Sequence, residues 1–171
     1  MADIATEAGV GLDDANAMFP DEHAVLMGVI EVAYLRLFDL STRTAGAVAN
    51  ADPVEQMRAM GEAYLDWAFE NPALFLVASD RTHLDFVNDP TLRRYIQAMR
   101  QLTESMLQRA LDAGRFPGNE DINILLLGAR TYVYGMARLN ADGHFPEWMP
   151  DIPDRLELCK RTLRDYLRRV V

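Results

Sequence analysis

The chain has 171 residues, half of them hydrophobic, so it can bury one substantial core or carry a small unit on a larger one. Twenty-six acids against seventeen bases give a formal net charge of -9, which argues against nucleic acid or an anionic membrane surface as the default partner. The single cysteine, Cys159, excludes an internal disulfide framework and a thiolate zinc site.

Apolar positions recur at three- and four-residue steps along the whole chain. No run of apolar and polar residues alternating between turns stands out, so an all-α fold is expected. Residues 2–10 read as a short amphipathic helix with Ile4, Ala5 and Ala8 on one face and Gly9 where a C-terminal cap needs positive φ. A second short helix runs from Leu12 to Phe19. Asp21 can cap a long helix through Val25, Leu26, Val29, Ile30, Ala33, Leu37 and Leu40, linking a small unit to a larger one. Asp52-Pro53 is a cap-then-proline start, and the helix after it carries Val54, Met57, Gly61, Tyr64 and Ala68 on one stripe with Met60 and Trp67 beside it. Asn71-Pro72 breaks that helix and begins a short one from Ala73 to Ser79. Asp89-Pro90 begins another, with Leu92, Tyr95, Ile96, Met99, Leu102, Met106 and Ala110 facing inward and Gly114 at its end. After a turn from Arg115 to Gly118, Asn119 or Glu120 starts a helix from Ile122 to about Ala141. Residues 144–150 read as an ordered aromatic loop, and Asp151 or Asp154 opens the last of eight helices.

Two stretches carry a family resemblance. Ile4-Ala5, Ala8-Gly9-Val10 and Phe19-Pro20 resemble the DNA-binding domain of the TetR family of bacterial regulators, which commonly reads IA-x-x-AGV, a short recognition helix, then FP and a long fourth helix. Further on, Ala68-Phe-Glu-Asn-Pro-Ala-Leu-Phe75 and the run from Tyr134 to Phe145 resemble the A-x-x-NPALF and hG-x-x-L-x-x-dG-x-F runs of one of its regulatory subtypes. The resemblance implies a TetR-like all-α chain in which 1–45 is a helix-turn-helix remnant with a connector helix and 46–171 a ligand-binding and dimerisation domain. It also implies transcriptional regulation, by a homodimer that senses a small molecule. The family's first helix lies upstream of Ile4, and this sequence starts only three residues before it.

The first thirty-five residues hold seven acids and no lysine or arginine. Aligned on Phe19-Pro20, the resemblance places the DNA-facing positions at Gly11, Asp13, Asp14, Asn16, Ala17 and Glu22. A helix-turn-helix docks by neutralising phosphates and offering a recognition helix to the major groove, and both tasks call for cations or neutral donors. At about 7 Å in water a carboxylate and a phosphate repel by roughly 0.6 kcal/mol before screening, and several such pairs add in the same direction. Intrinsic DNA binding is therefore expected to be weak or lost. The alternative is a conventional ligand-released repressor whose first helix is missing from this chain.

Two further constellations have a functional reading beside a bland one. On the last helix Leu156, Cys159, Leu163 and Tyr166 fall at alternating three- and four-residue steps, and the helix before it sets Gly128, Tyr132, Gly135 and Leu139 on one face. Two glycines seven residues apart cost roughly 1 kcal/mol each in helix propensity, which suggests close approach by another backbone. The pair of helices fits a two-fold four-helix dimer interface, or else an intramolecular seam. Tyr64, Trp67, Phe75, Tyr95, Met99, Met106 and Tyr134, with Arg130 nearby, fit a cavity for an apolar or acidic small molecule; each alone is equally a core residue. An enzyme of the helical-bundle type finds little support. Asp80-Arg-Thr-His83 is the only acid-x-x-His pair, whereas a di-metal bundle site needs two with two further carboxylates, and no phosphate loop or catalytic triad can be argued. No catalytic residue, metal or cofactor is expected. The absence of an eighteen-residue apolar run and of a secretion signal points to a cytoplasmic protein with no membrane partner.

Overall fold

In the computed structural model, which describes residues 1–80, 89–117 and 120–171, every regular element is a helix. The helices are α1 (Ala2–Ala8), α2 (Leu12–Met18), α3 (Glu22–Ala47), α4 (Pro53–Glu70), α5 (Pro72–Ser79), α6 (Pro90–Asp112), α7 (Ile122–Ala141), α8 (Phe145–Trp148) and α9 (Arg155–Val170). Their starts follow from local chemistry. An aspartate side chain accepts from an otherwise orphaned N–H at the head of five of them: Asp21 from Ala24, Asp52 from Val54, Asp89 from Leu92, Asp121 from Asn123 and Asp154 from Glu157, all within 2.8–2.9 Å. Proline follows at the first position of α4, α5 and α6, where its missing N–H removes nothing the helix uses. Gly9 and Gly114 close α1 and α6 at φ 68° and 66°, a left-handed turn a side chain would resist.

Three expectations need correction. The aromatic loop holds one helical turn, α8, because Phe145 buries its ring and Pro146 sits in the first turn, so the described residues form nine helices rather than eight. The cap of α7 is Asp121 and not Glu120; Gly118 and Asn119 lie outside the described residues. On α3, Val29 is 37% exposed, and the buried face runs through Ile30, Ala33, Tyr34, Leu37 and Ser41.

Helix α4 is the hub. It packs against α3 and α9 most extensively, and also against α5, α6 and α7. Ile30, Leu65, Phe75 and Leu92, from four different helices, are essentially inaccessible, and burying a side chain of this kind contributes about 1.5–3 kcal/mol. Two ion pairs tie α9 along α4: Lys160 Nζ to Asp66 Oδ1 at 2.5 Å and Arg164 Nε to Glu62 Oε1 at 2.6 Å. A smaller cluster of Leu107, Ala110 and Phe116 closes the far end of α6. By contrast α1 and α2 bury only Ala5 and Ala15, and leave Ile4, Val10, Leu12 and Met18 exposed. The Phe19 ring anchors this pair to α3 by lying on Gly28, where a Cβ would stand 3.3 Å from Phe19 Cε1. Among the described residues no helix is long and apolar enough to cross a membrane.

Candidate functional site

The packing of α3, α4, α5, α6 and α7 leaves two adjoining cavities. The smaller, about 270 Å³, is walled by the rings of Tyr34, Tyr64, Trp67, Phe75 and Tyr134, with Met99, Arg130 and Thr131 beside them. The larger, about 500 Å³, runs on between α4, α6, α7 and α9 and is walled mainly by aliphatic side chains, among them Met57, Met60, Ile96, Met106, Leu126 and Leu167. Tyr34, Leu37, Tyr64, Met99 and Arg130 line both. The aromatic wall is internally packed: Phe75 meets Tyr64 and Trp67 edge-on at 6.5 Å between ring centres and Tyr134 at 5.7 Å.

Polar chemistry at this junction is sparse. The Arg130 guanidinium lies 5.1 Å from the ring centres of both Tyr64 and Tyr134 and pairs with no carboxylate among the described residues. Its side chain is exposed, so the junction opens to solvent there. Burial pushes the Tyr64 hydroxyl above its ordinary range, opposed by the nearby Arg130 charge, and the phenol stays neutral. Trp67 is 7% exposed, and its buried indole N–H has no acceptor among the described residues. Tyr34 donates to the carbonyl of Ala78 at 3.3 Å.

Of the eight residues proposed from sequence for a pocket, Tyr64, Trp67, Phe75, Met99, Arg130 and Tyr134 line the smaller cavity, and Met106 lines the larger. Tyr95 lines neither; its ring packs against Phe38 at 5.8 Å. Sequence reasoning missed Tyr34 and Leu37 of α3. Their only signal was the i, i+4 and i, i+7 spacing from Ile30 on a helix read as a connector.

A sequence model of the tetracyclin repressor-like C-terminal domain matches residues 57–166, nearly two thirds of the chain and the segment that forms most of both cavities. The chain belongs to the TetR family. Solved structures resemble it in fold over 99% of its length. The TetR-family transcriptional regulator PfmR from Thermus thermophilus aligns at 20% identity and a TM-score of 0.77, with 87% of that chain covered. A protein of unknown function from Rhodococcus sp. RHA1 aligns at 23% and 0.77, covered to 83%, and a tetR-family regulatory protein from Rhodococcus RHA1 at 15% and 0.73, covered to 84%. A comparison with curated proteins finds no match.

In this TetR-family chain the positions assigned to DNA, Gly11, Asp13, Asp14, Asn16, Ala17 and Glu22, are all exposed. Asp13 and Asp14 occupy the first turn of α2, where carboxylates complement the helix dipole, and Glu22 pairs with the amino group of Met1. The residues proposed for a dimer seam divide. Cys159 and Leu163 are buried within the chain itself, Leu163 against Gly61 of α4. Tyr132 and Tyr166 stack on each other at 4.1 Å, and the Tyr132 hydroxyl donates to the carbonyl of Thr162. Gly128 faces that stack, where an added Cβ would stand 3.5 Å from the Tyr166 hydroxyl, and Leu156 packs against the edge of the core. Gly135 has nothing within 4 Å of its missing Cβ and Leu139 is 44% exposed; with Ile124 they form an outer face of α7 left uncovered by the described residues, while Leu127 and Thr131, though exposed, also line the larger and the smaller cavity. Among the described residues no three metal-ligating side chains come together, and His83 of the Asp80-Arg-Thr-His83 pair lies outside them.

Proposed function

We propose that this TetR-family chain is a regulator that senses an apolar or acidic small molecule, works as a homodimer and grips DNA weakly on its own. The carrying observation is the pair of adjoining cavities that share Arg130, a cation set between two tyrosine rings without a carboxylate partner among the described residues. A packed core has no need of such a space, whereas a sensor domain requires one. Dimerisation is supported by the uncovered apolar face of α7, since an exposed stripe at helical spacing is best covered by its own two-fold copy. Weak DNA binding is supported by seven acids and no base over residues 1–35, every one of those acids exposed.

Anisotropy titration against the chain's own promoter at low salt tests the DNA reading. Binding no tighter than to unrelated duplex supports it; tight binding that weakens steeply with salt establishes instead the second reading, a conventional ligand-released repressor. Sedimentation equilibrium tests the dimer: Ile124→Arg, on the outer face of α7, should yield a monomer with an unchanged helical spectrum. A monomeric parent chain would end that part of the proposal.

A further inference from the structure

The two cavities differ in chemistry, and that difference selects a class of effector. The smaller is a cage of aromatic rings whose wall is held rigid by its own edge-on contacts. The larger has almost twice the volume and is lined by thioether and branched aliphatic side chains such as Met57, Met60, Ile96 and Leu126, which adapt to a flexible hydrocarbon better than they hold a rigid ring. Where the two meet, Arg130 lies against the rings of Tyr64 and Tyr134 and reaches the Tyr64 hydroxyl, and the rest of its five-donor guanidinium edge remains to donate. A guanidinium edge is matched by the two oxygens of a carboxylate, and a pair formed partly out of water is stronger than one at an open surface. The second polar cue is Trp67, whose buried indole N–H lacks an acceptor among the described residues beside the same junction. A donor left unpaired in this way is an unsatisfied demand that an anionic head, directly or through one ordered water, would meet.

We infer that the effector is an aliphatic monocarboxylate, its carboxylate clasped by Arg130 and its hydrocarbon chain lying in the larger cavity. This deepens the sensor reading and rests on it. An anion enters readily at Arg130 because that side chain is the solvent-facing part of the junction. The chain then slides along α6 past Met99 towards Met106, trading hydration for contact with apolar walls.

Isothermal titration of the full chain with decanoate, decanol, decyltrimethylammonium and 2-naphthoate, together with the saturated acids from six to twelve carbons, tests the assignment. Affinity should rise about fourfold for each added CH2 until the cavity is full. Decanol should bind at least about tenfold more weakly than decanoate, the difference expected for one charge-assisted pair, and the ammonium amphiphile not at all. Arg130→Gln should reduce decanoate to the decanol level and leave decanol unchanged, while Leu126→Trp, which fills the larger cavity, should abolish binding of the long acids. Trp67→Phe should weaken decanoate about tenfold, the loss expected for one donor to a charged group. Far-UV spectra and melting curves of each variant establish that it is folded. Equal binding of decanol and decanoate, indifference to Arg130→Gln, or preference for naphthoate without a chain-length effect would each overturn the assignment while leaving a small-molecule sensor in place. Silence from every probe at millimolar concentration overturns both.

Discussion

At Gly61 the spacing of two helices is set by an atom that is missing. A Cβ there would stand 2.6 Å from Leu163 Cδ2 and 3.4 Å from Val133 Cγ1, and Leu163 is only 4% exposed. Gly61→Ala gains about 1 kcal/mol of helix propensity, but forcing a methyl into a packed seam costs about 1–3 kcal/mol, so a net loss of up to about 2 kcal/mol is expected. The mechanism has its own signature: in a Leu163→Ala background, where room exists, Gly61→Ala should become neutral or stabilising in urea unfolding. Additive losses would mean the clash is not the cause. Close by, burial raises the Cys159 thiol from 9.0 to about 11. A folded-state pKa above the unfolded one gives stability that is complete below about pH 9 and is lost as pH climbs towards 11, because the unfolded chain alone sheds its proton in that window. The urea midpoint should fall across that window, and Cys159→Ala should flatten part of the fall. At neutral pH the thiol should resist a thiol-reactive dye until the chain unfolds.

Between α3 and α4 one side chain does the joining. Gln56, 2% exposed, donates to the carbonyls of Ala49 and Ala51 at 2.9 Å, and its oxygen accepts from Arg109 of α6. Arg115, just beyond α6, reaches Asp52 in the same loop. The end of the long α3 is thereby tied to the helix that carries Met99 and Met106 in the cavity walls. Gln56→Leu keeps the volume and removes three hydrogen bonds; Ala49 and Arg109 are exposed enough for water to take its place and Arg109 keeps Ser105, so a loss of about 1–2 kcal/mol is expected, read as a lower melting temperature with the helical spectrum retained below it. A loss under about 1 kcal/mol would show that water replaces the amide at Ala51 as well. Nothing in the sequence marked Gln56, because a polar residue on an amphipathic helix is ordinarily at the surface. Other elements were more legible. Asp52-Pro53, Asn71-Pro72 and Asp89-Pro90 announced three helix starts because capping and the proline constraint act over a few residues. The aromatic part of the smaller cavity's wall was legible for a similar reason: Tyr64, Trp67, Arg130 and Tyr134 share faces defined by their own helices, whereas most of the aliphatic wall of the larger cavity was not. What periodicity leaves open is which neighbour a face meets. Hence Cys159 and Leu163, equally apt for a dimer seam, turn out to be buried in the chain's own core, Leu163 against α4, and the glycine in closest approach is Gly61 rather than Gly128 or Gly135. Tyr95 went to Phe38 for the same reason.

Across the whole molecule the charges are unevenly distributed. All seventeen bases lie at or after Arg36, while the helical pair α1 and α2 and the first half of α3 carry acids alone. The exposed carboxylates of Asp13, Asp14 and Glu22 do local work, two at the positive end of α2 and one beside an amine, so they suit the fold even though they oppose a polyanion. Fold stability and DNA affinity thus pull in different directions at the same residues, and a charge swap separates them. In a chain carrying Asp13→Lys, Asp14→Ser and Glu22→Lys, loss of the dipole contacts should lower the urea midpoint slightly. The same variant should acquire non-specific duplex affinity at low salt. The logarithm of its binding constant should fall against the logarithm of salt with a slope about 0.9 steeper for each phosphate neutralised, so two new lysine contacts add about 1.8. Unfolding in urea and anisotropy at three salt concentrations read the two effects separately. If the parent chain already shows such a slope, bases at or beyond Arg36 are meeting the phosphates, and the acids of the first two helices do not govern the encounter. If neither chain binds, repulsion is not what is missing. The loosely packed α1 and α2, with Ile4, Leu12 and Met18 in solvent, would then be the limiting factor, because a recognition helix that is not held still cannot convert charge into affinity.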